Sequence, residues 1–161
     1  LRSFGAIGVP RFDRRLLEWL THPDEDLRWE ALGALAPVQH TEVRQLALQM
    51  IVNGDTADGV SLLVSNFQEG DFALIHQHLR LLADADDAHY LVGELLKLYE
   101  AHPVGESLNC LLYVYELSPC STCRREAVEA LVALGIAPEW VFLESAFDAD
   151  PKTRALSRLD L

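Results

Sequence analysis

The residues with the strongest intrinsic chemistry sit in one short phrase, Ser118-Pro-Cys120-Ser-Thr-Cys123-Arg124-Arg125. Two thiols three positions apart at the start of a helix can be reactive, because the helix N-terminus and neighbouring guanidinium groups favour thiolate. Cys120 and Cys123 are therefore a candidate thiol pair, with redox sensing as the chemistry they would support. Against that role, no βαβ pattern of the thioredoxin kind surrounds them. Zinc needs further ligands; Cys110 and His102 lie in the neighbouring helix and turn, but their spacing carries no zinc signature. The plainer reading packs Cys123 as a small apolar side chain and places Cys120 at the turn. The acidic clusters Asp24-Glu25-Asp26 and Asp84-Ala-Asp86-Asp87 lack the Gly-centred, oxygen-rich loop that calcium requires, and so read as helix caps. His76 and His78 point to opposite sides of a helix, and His22, His40, His89 and His102 are scattered. No nucleophile elbow or phosphate-binding glycine loop occurs. The expectation is a chain that is not an enzyme, with no catalytic residue, no metal site and no cofactor.

The elements that must position these residues are helical. Phe12, Leu16, Leu17 and Leu20 recur at helical spacing, as do Phe72, Ile75, Leu79 and Leu82, and Leu108, Leu111, Leu112 and Tyr115. Breaks rich in Pro, Gly, Asp and Ser separate them and supply caps and stops; Gly54, Gly59, Gly70 and Gly135 read as punctuation. No strand alternation is present, so the predicted fold class is all-α. The 161 residues carry 13 Lys+Arg against 25 Asp+Glu, a net charge of −12, and are 50% hydrophobic. That composition excludes a disordered chain. It also argues against nucleic acid, whose phosphates demand a basic face, and against an anionic membrane surface. No apolar run reaches the roughly 18 residues of a membrane span, and the opening segment, without an initiator Met or a long apolar core, reads as part of a longer chain and not as a signal peptide. Three cysteines are too few for a disulfide scaffold, which points to a reducing, cytoplasmic compartment.

The breaks fall in a rhythm. Second helices expected near Leu27, Asp58, His89, Thr122 and Thr153 are 31, 31, 33 and 31 residues apart. Helix pairs are predicted at 11–21 with 25–36, 41–53 with 57–68, 71–83 with 87–101, 105–117 with 121–135, and 138–147 with 151–160, preceded by an irregular segment over 1–10. A repeat of this length marks stacked helical hairpins, none of which buries its apolar face alone. Arg28-Trp-Glu-Ala-Leu-Gly-Ala-Leu35 matches Arg124-Arg-Glu-Ala-Val-Glu-Ala-Leu131 at five of eight positions, 96 residues apart, or three periods of 32. With no internal linker, residues 1–161 read as a single domain.

These phrases, with His22-Pro-Asp-Glu-Asp-Leu27 leading into the first and Asp148-Ala-Asp-Pro-Lys-Thr-Arg-Ala-Leu156 more weakly, resemble the HEAT-repeat proteins, in particular the short HEAT-like repeats of the phycobilin-lyase type. Asp26, Leu27, Arg28, Ala31 and Leu35 fit that family's second helix; Cys123, Arg124, Ala127 and Leu131 fit it with the Asp missing. The resemblance implies a right-handed α-α superhelix, a HEAT-like solenoid of about five helix pairs, whose concave face holds a protein partner. It specifies a fold and not a chemistry. The expected function is a protein–protein interaction scaffold, with Arg28, Trp29, Tyr90, Arg124 and Arg125 as partner-binding residues, since aromatic and Arg side chains dominate interface hot spots. A basic protein or peptide would be steered toward so acidic a chain. The alternatives are a lyase-type enzyme or cofactor chaperone like the phycobilin lyases, and the thiol sensor. Tyr99, Tyr115 and Trp140 are expected in the core. Apolar Leu1, Phe4, Leu159 and Leu161 suggest self-association through an uncapped end.

Overall fold

The computed structural model describes residues 12–80 and 84–157. The predicted 1–10 segment and the apolar termini lie outside them. The described residues are all-α: ten α-helices, one 3₁₀ turn and no strand. The helices are α1 (Arg15–Trp19), α2 (Glu25–Leu35), α3 (Thr41–Asn53), α4 (Thr56–Leu63), α5 (Asp71–His78), α6 (Ala85–Ala101), α7 (Leu108–Leu117), α8 (Ser121–Ala133), α9 (Glu139–Ser145) and α10 (Pro151–Leu156). The helices expected as second members, α2, α4, α6, α8 and α10, begin 31, 29, 36 and 30 residues apart; α5, expected to pair with α6, packs instead on α7 and the 3₁₀ turn. The long third interval holds the 17-residue α6 and the 3₁₀ turn at Gly105–Ser107. The chain divides into two compact units, with the break between Glu69 and Gly70. Gly70 has φ 93°, a left-handed conformation that glycine adopts without strain.

In the first unit, α3 and α4 pack most extensively. Val43, Ala47 and Ile51, four residues apart, form the buried stripe of α3, and Val60, Leu62 and Leu63 that of α4. Each Val, Leu or Ile among them contributes about 1.5–3 kcal/mol by leaving water. Gly59 departs from the expected role of helix punctuation. It lies inside α4, where a Cβ would stand 2.7 Å from both the Ala47 carbonyl oxygen and Ile51 Cγ1, so its missing side chain is what lets the two helices approach. Asn66 ends the predicted 57–68 helix early. Its side-chain amide donates to the Val38 and Leu62 carbonyls at 2.8 and 3.0 Å, while its Oδ1 accepts from the His40 amide at 2.9 Å. Arg44 donates to the Asn66 carbonyl at 2.8 Å.

In the second unit, α7 and α8 form the main pair. Leu111, Val114 and Tyr115 are buried on α7, and Cys123, Ala127, Val128, Ala130 and Leu131 on α8. Helix α5 opens at Gly70, which has no capping side chain; Glu106 of the 3₁₀ turn fills that role by accepting from the Gly70 and Phe72 amides. Tyr99 and Tyr113 donate their hydroxyls to the carbonyls of Ala130 and Arg80, at 3.3 and 2.7 Å. Tyr115 is buried as expected, whereas Trp140 stays 36% exposed against it, ring centroids 5.9 Å apart.

Candidate functional site

The predicted site residues fall at the turns that launch second helices. The caps there are Asp24, Asp55, Asp84, Cys120 and Asp150. Asp24 accepts from the Leu27 amide, Asp84 from the Asp86 and Asp87 amides, and Asp150 from the Lys152 amide. These are the free N–H groups of a first helical turn, so both acidic clusters act as caps.

Four positions after three of these caps stands an arginine with a repeated task. Arg28 donates through Nη1 to the His22 and Pro23 carbonyls at 2.8 and 3.2 Å. Arg124 does the same to Ser118 and Pro119 at 3.1 and 3.4 Å, and Arg154 to Asp148 and Ala149 at 2.7 and 2.9 Å. In every case the acceptors are the carbonyls six and five residues back. The arginine thus folds over the turn that precedes its own helix and satisfies backbone oxygens that would otherwise need water.

The α8 turn carries more. Arg124 Nε lies 3.1 Å from Asp148 Oδ2, and Arg125 Nη1 lies 3.1 Å from Asp150 Oδ2. Arg125 also sits 3.5 Å from Glu129. The aspartates belong to the turn that launches α10, so the two guanidinium groups tie one hairpin of this unit to the next. Burial works to raise the Asp148 pKa, but the hydrogen bond from Arg124 and the Asp150 amide outweigh it and leave the carboxyl below its ordinary range. Asp150 is lowered chiefly by the Lys152 amide, then by Arg125.

The α2 turn differs at one position. Trp29 stands where α8 has Arg125, and its side chain is 48% exposed. It borders a cleft of about 140 Å³ lined with Leu20, Glu25, Arg28, Leu32, Met50 and Asp58. Pockets for small molecules commonly run to about 300–1,000 Å³, so this cleft has the size of one side chain. Tyr90, the other predicted aromatic, is half-buried on α6 in the second unit.

The cysteines are all free, and they separate. Cys110 is buried, donates to the Phe72 carbonyl at 3.5 Å, and has its pKa pushed up to about 12 by burial. Cys120 is the half-buried cap of α8, and Cys123 lies one turn on, 7% exposed. The backbone N–H of Cys123 lowers the Cys120 pKa, while burial lifts Cys123 to about 11. One helix start therefore holds two unlike sulfurs, a thiolate-prone acceptor and a protonated donor. The third group here is His89, on the first turns of α6, with Nδ1 3.9 Å from Cys123 Sγ. The ligand atoms of His89, Cys120 and Cys123 all lie within 4.8 Å of one another. Sequence spacing had set His89 aside, because 31 residues separate it from Cys120 and only the pairing of second helices closes that gap.

No described helix is long and apolar enough to cross a membrane. No family model, curated protein or solved structure matches the chain.

Proposed function

We propose that the chain is a non-catalytic binding scaffold, a HEAT-like solenoid of helical hairpins with right-handed α-α connections, that takes a Lys- or Arg-bearing peptide segment of a protein partner at the α2 turn. The observation that carries this reading is Trp29 in the place of Arg125. In the α8 turn that position is spent inside the molecule, on Asp150 and Glu129. In the α2 turn it holds a half-exposed indole, which cannot form an ion pair, beside a cleft with two carboxylates, Glu25 and Asp58, and one guanidinium, Arg28. A long cationic side chain suits this arrangement. Its methylenes cover Leu20, Leu32 and Met50, and its charged end meets the indole face and the carboxylates. The chain's charge of −12 adds long-range attraction for such a segment.

The test is binding of the whole chain to an array of Lys- and Arg-containing peptides, with neutral isosteres beside them. Saturable binding that weakens with salt, and weakens about tenfold or more in Trp29→Ala, is the expected result, on the scale of an aromatic hot spot. Equal retention of neutral and basic peptides, or an unchanged affinity in Trp29→Ala, overturns the reading.

A further inference from the structure

We infer that Cys120, Cys123 and His89 form a zinc site that joins the starts of α6 and α8, with two sulfurs and one imidazole nitrogen as protein ligands and a water in the fourth position. This inference is independent of the peptide cleft, which lies in the other unit.

The first argument is the repeat itself. Four of the five second helices are capped by aspartate, and the fourth in order is capped by cysteine. A cysteine offers α8 no side-chain oxygen, only a sulfur that is a weaker acceptor for the free N–H groups of the first turn. The departure from the repeat occurs at the one cap that has a second cysteine a turn later and a histidine from the preceding second helix beside it. Neither α2 nor α10 has a cysteine or histidine at the position of Cys123.

The second argument is geometric. Zinc–sulfur bonds of about 2.3 Å and zinc–nitrogen bonds of about 2.0–2.1 Å in a tetrahedron put sulfur and nitrogen roughly 3.6 Å apart. The Cys123 Sγ to His89 Nδ1 separation is 3.9 Å, and no pair in the trio exceeds 4.8 Å. Closing on a metal needs movements of a few tenths of an ångström to about one ångström, within the reach of rotamer adjustment at an exposed histidine and a half-buried cap. The donor set selects the metal. Calcium and magnesium want oxygens, whereas thiolate with imidazole suits zinc, whose filled d shell accepts whatever tetrahedral geometry the protein offers.

The third argument concerns protons. Zinc takes the sulfurs as thiolates. Loading the site therefore forms two Zn–S bonds and one Zn–N bond, breaks the S–H bonds of Cys120 and Cys123, and releases their protons to solvent. The charge left on the site is that of one Zn²⁺ and two thiolates, neutral overall.

The experiment is a titration of the reduced full chain with Zn²⁺ and with Co²⁺, whose thiolate charge-transfer absorption and intense visible bands report tetrahedral sulfur coordination. One equivalent is expected to bind, with release of at least one proton and a rise in melting temperature. Cys120→Ser keeps an oxygen cap for α8, so it folds, and is expected to weaken binding at least about 100-fold; His89→Ala, at an exposed position, is expected to weaken it about 10-fold or more. Cys110→Ser is expected to bind as the wild type does. Absence of stoichiometric binding by the folded wild type, or binding unaffected by Cys120→Ser and His89→Ala, overturns the site. So does a Cys120–Cys123 disulfide that forms in preference when zinc and the reduced chain are mixed in air, which would return the pair to redox chemistry.

Discussion

The α2 and α8 turns use similar eight-residue phrases, identical at five positions, to different ends. Both place an arginine four residues after the cap, and both fold it back onto the carbonyls six and five residues earlier. In α8 the next residue is a second arginine, and the two guanidinium groups are consumed by Asp148 and Asp150 of the following hairpin. In α2 the next residue is Trp29, and the equivalent position borders a side-chain-sized cleft. The shared part of the phrase is structural, since it repeats a third time at Arg154 with the same two acceptors. The part that varies between copies is where function is to be sought. That reasoning separates Arg28 and Arg124, whose guanidinium groups close their own turns, from Trp29, whose indole is 48% exposed.

The largest effect that sharpens the contrast between units comes from their glycines. Gly59→Ala would push a methyl group to 2.7 Å from the Ala47 carbonyl and Ile51 Cγ1, which forces α3 and α4 apart; a loss of about 2–3 kcal/mol in urea unfolding is expected. Gly93→Ala, in α6 of the second unit, meets no atom within 4 Å and is expected to gain about 0.5–1 kcal/mol. Equal effects at both sites would show that the close approach of α3 and α4 does not exist.

Next comes the shared arginine. Arg124→Ala removes the Asp148 pair and two carbonyl bonds at once, and leaves an aspartate whose side chain is only 7% exposed. A cost of about 2 kcal/mol is expected. Arg124→Lys should recover little of it, because an ammonium cannot span both carbonyls and the carboxylate as a planar fork does.

Exchanging the variable residue tests the comparison directly. Trp29→Arg gives α2 the α8 phrase; stability should change by no more than about 0.5 kcal/mol at so exposed a site, while binding of basic peptides is lost. Arg125→Trp should cost about 1 kcal/mol by unpairing Asp150 and Glu129, and should create no peptide binding, because the α8 turn has Ser121 where α2 has Glu25. Gain of binding in Arg125→Trp would show that the indole alone suffices.

Much of this arrangement was legible in the residues. Apolar spacing together with the Pro, Gly, Asp and Ser breaks places the ten described helices, because a stripe at three and four residues is buried along one helix face. The Asp caps were legible for the same local reason. Three things were not. Gly59 reads as a stop when its neighbours are unknown, and only the approach of α3 explains it. The early end of α4 depends on Asn66 reaching Val38 and His40, 28 and 26 residues away. His89 has no local relation to the cysteine phrase, since chain-distant ligands share no spacing that sequence could carry. The common thread is distance along the chain: what depends on a single helix and its caps is written locally, and what depends on the neighbouring hairpin is not.

Acid gives the smallest and most specific break in the comparison. Asp148 and Asp150 have folded pKa values below their ordinary ones. A carboxyl that is more acidic when folded favours the folded state wherever it is ionised in both states, and loses that advantage once the unfolded form holds a proton that the folded form does not. The contribution is therefore complete above about pH 5, begins to fall near pH 4 and fades as the folded groups protonate. Unfolding by urea should be unchanged between pH 7 and 5, then weaken toward pH 3, with amide exchange rising in α8 ahead of α3. Asp148→Asn, which accepts from Arg124 without titrating, should flatten the part of that decline due to Asp148 while lowering stability at pH 7. If the decline in Asp148→Asn matches that of the wild type, the Arg124–Asp148 pair is not what distinguishes the acid response of the α8 turn, and the difference between the two turns rests on Trp29 alone.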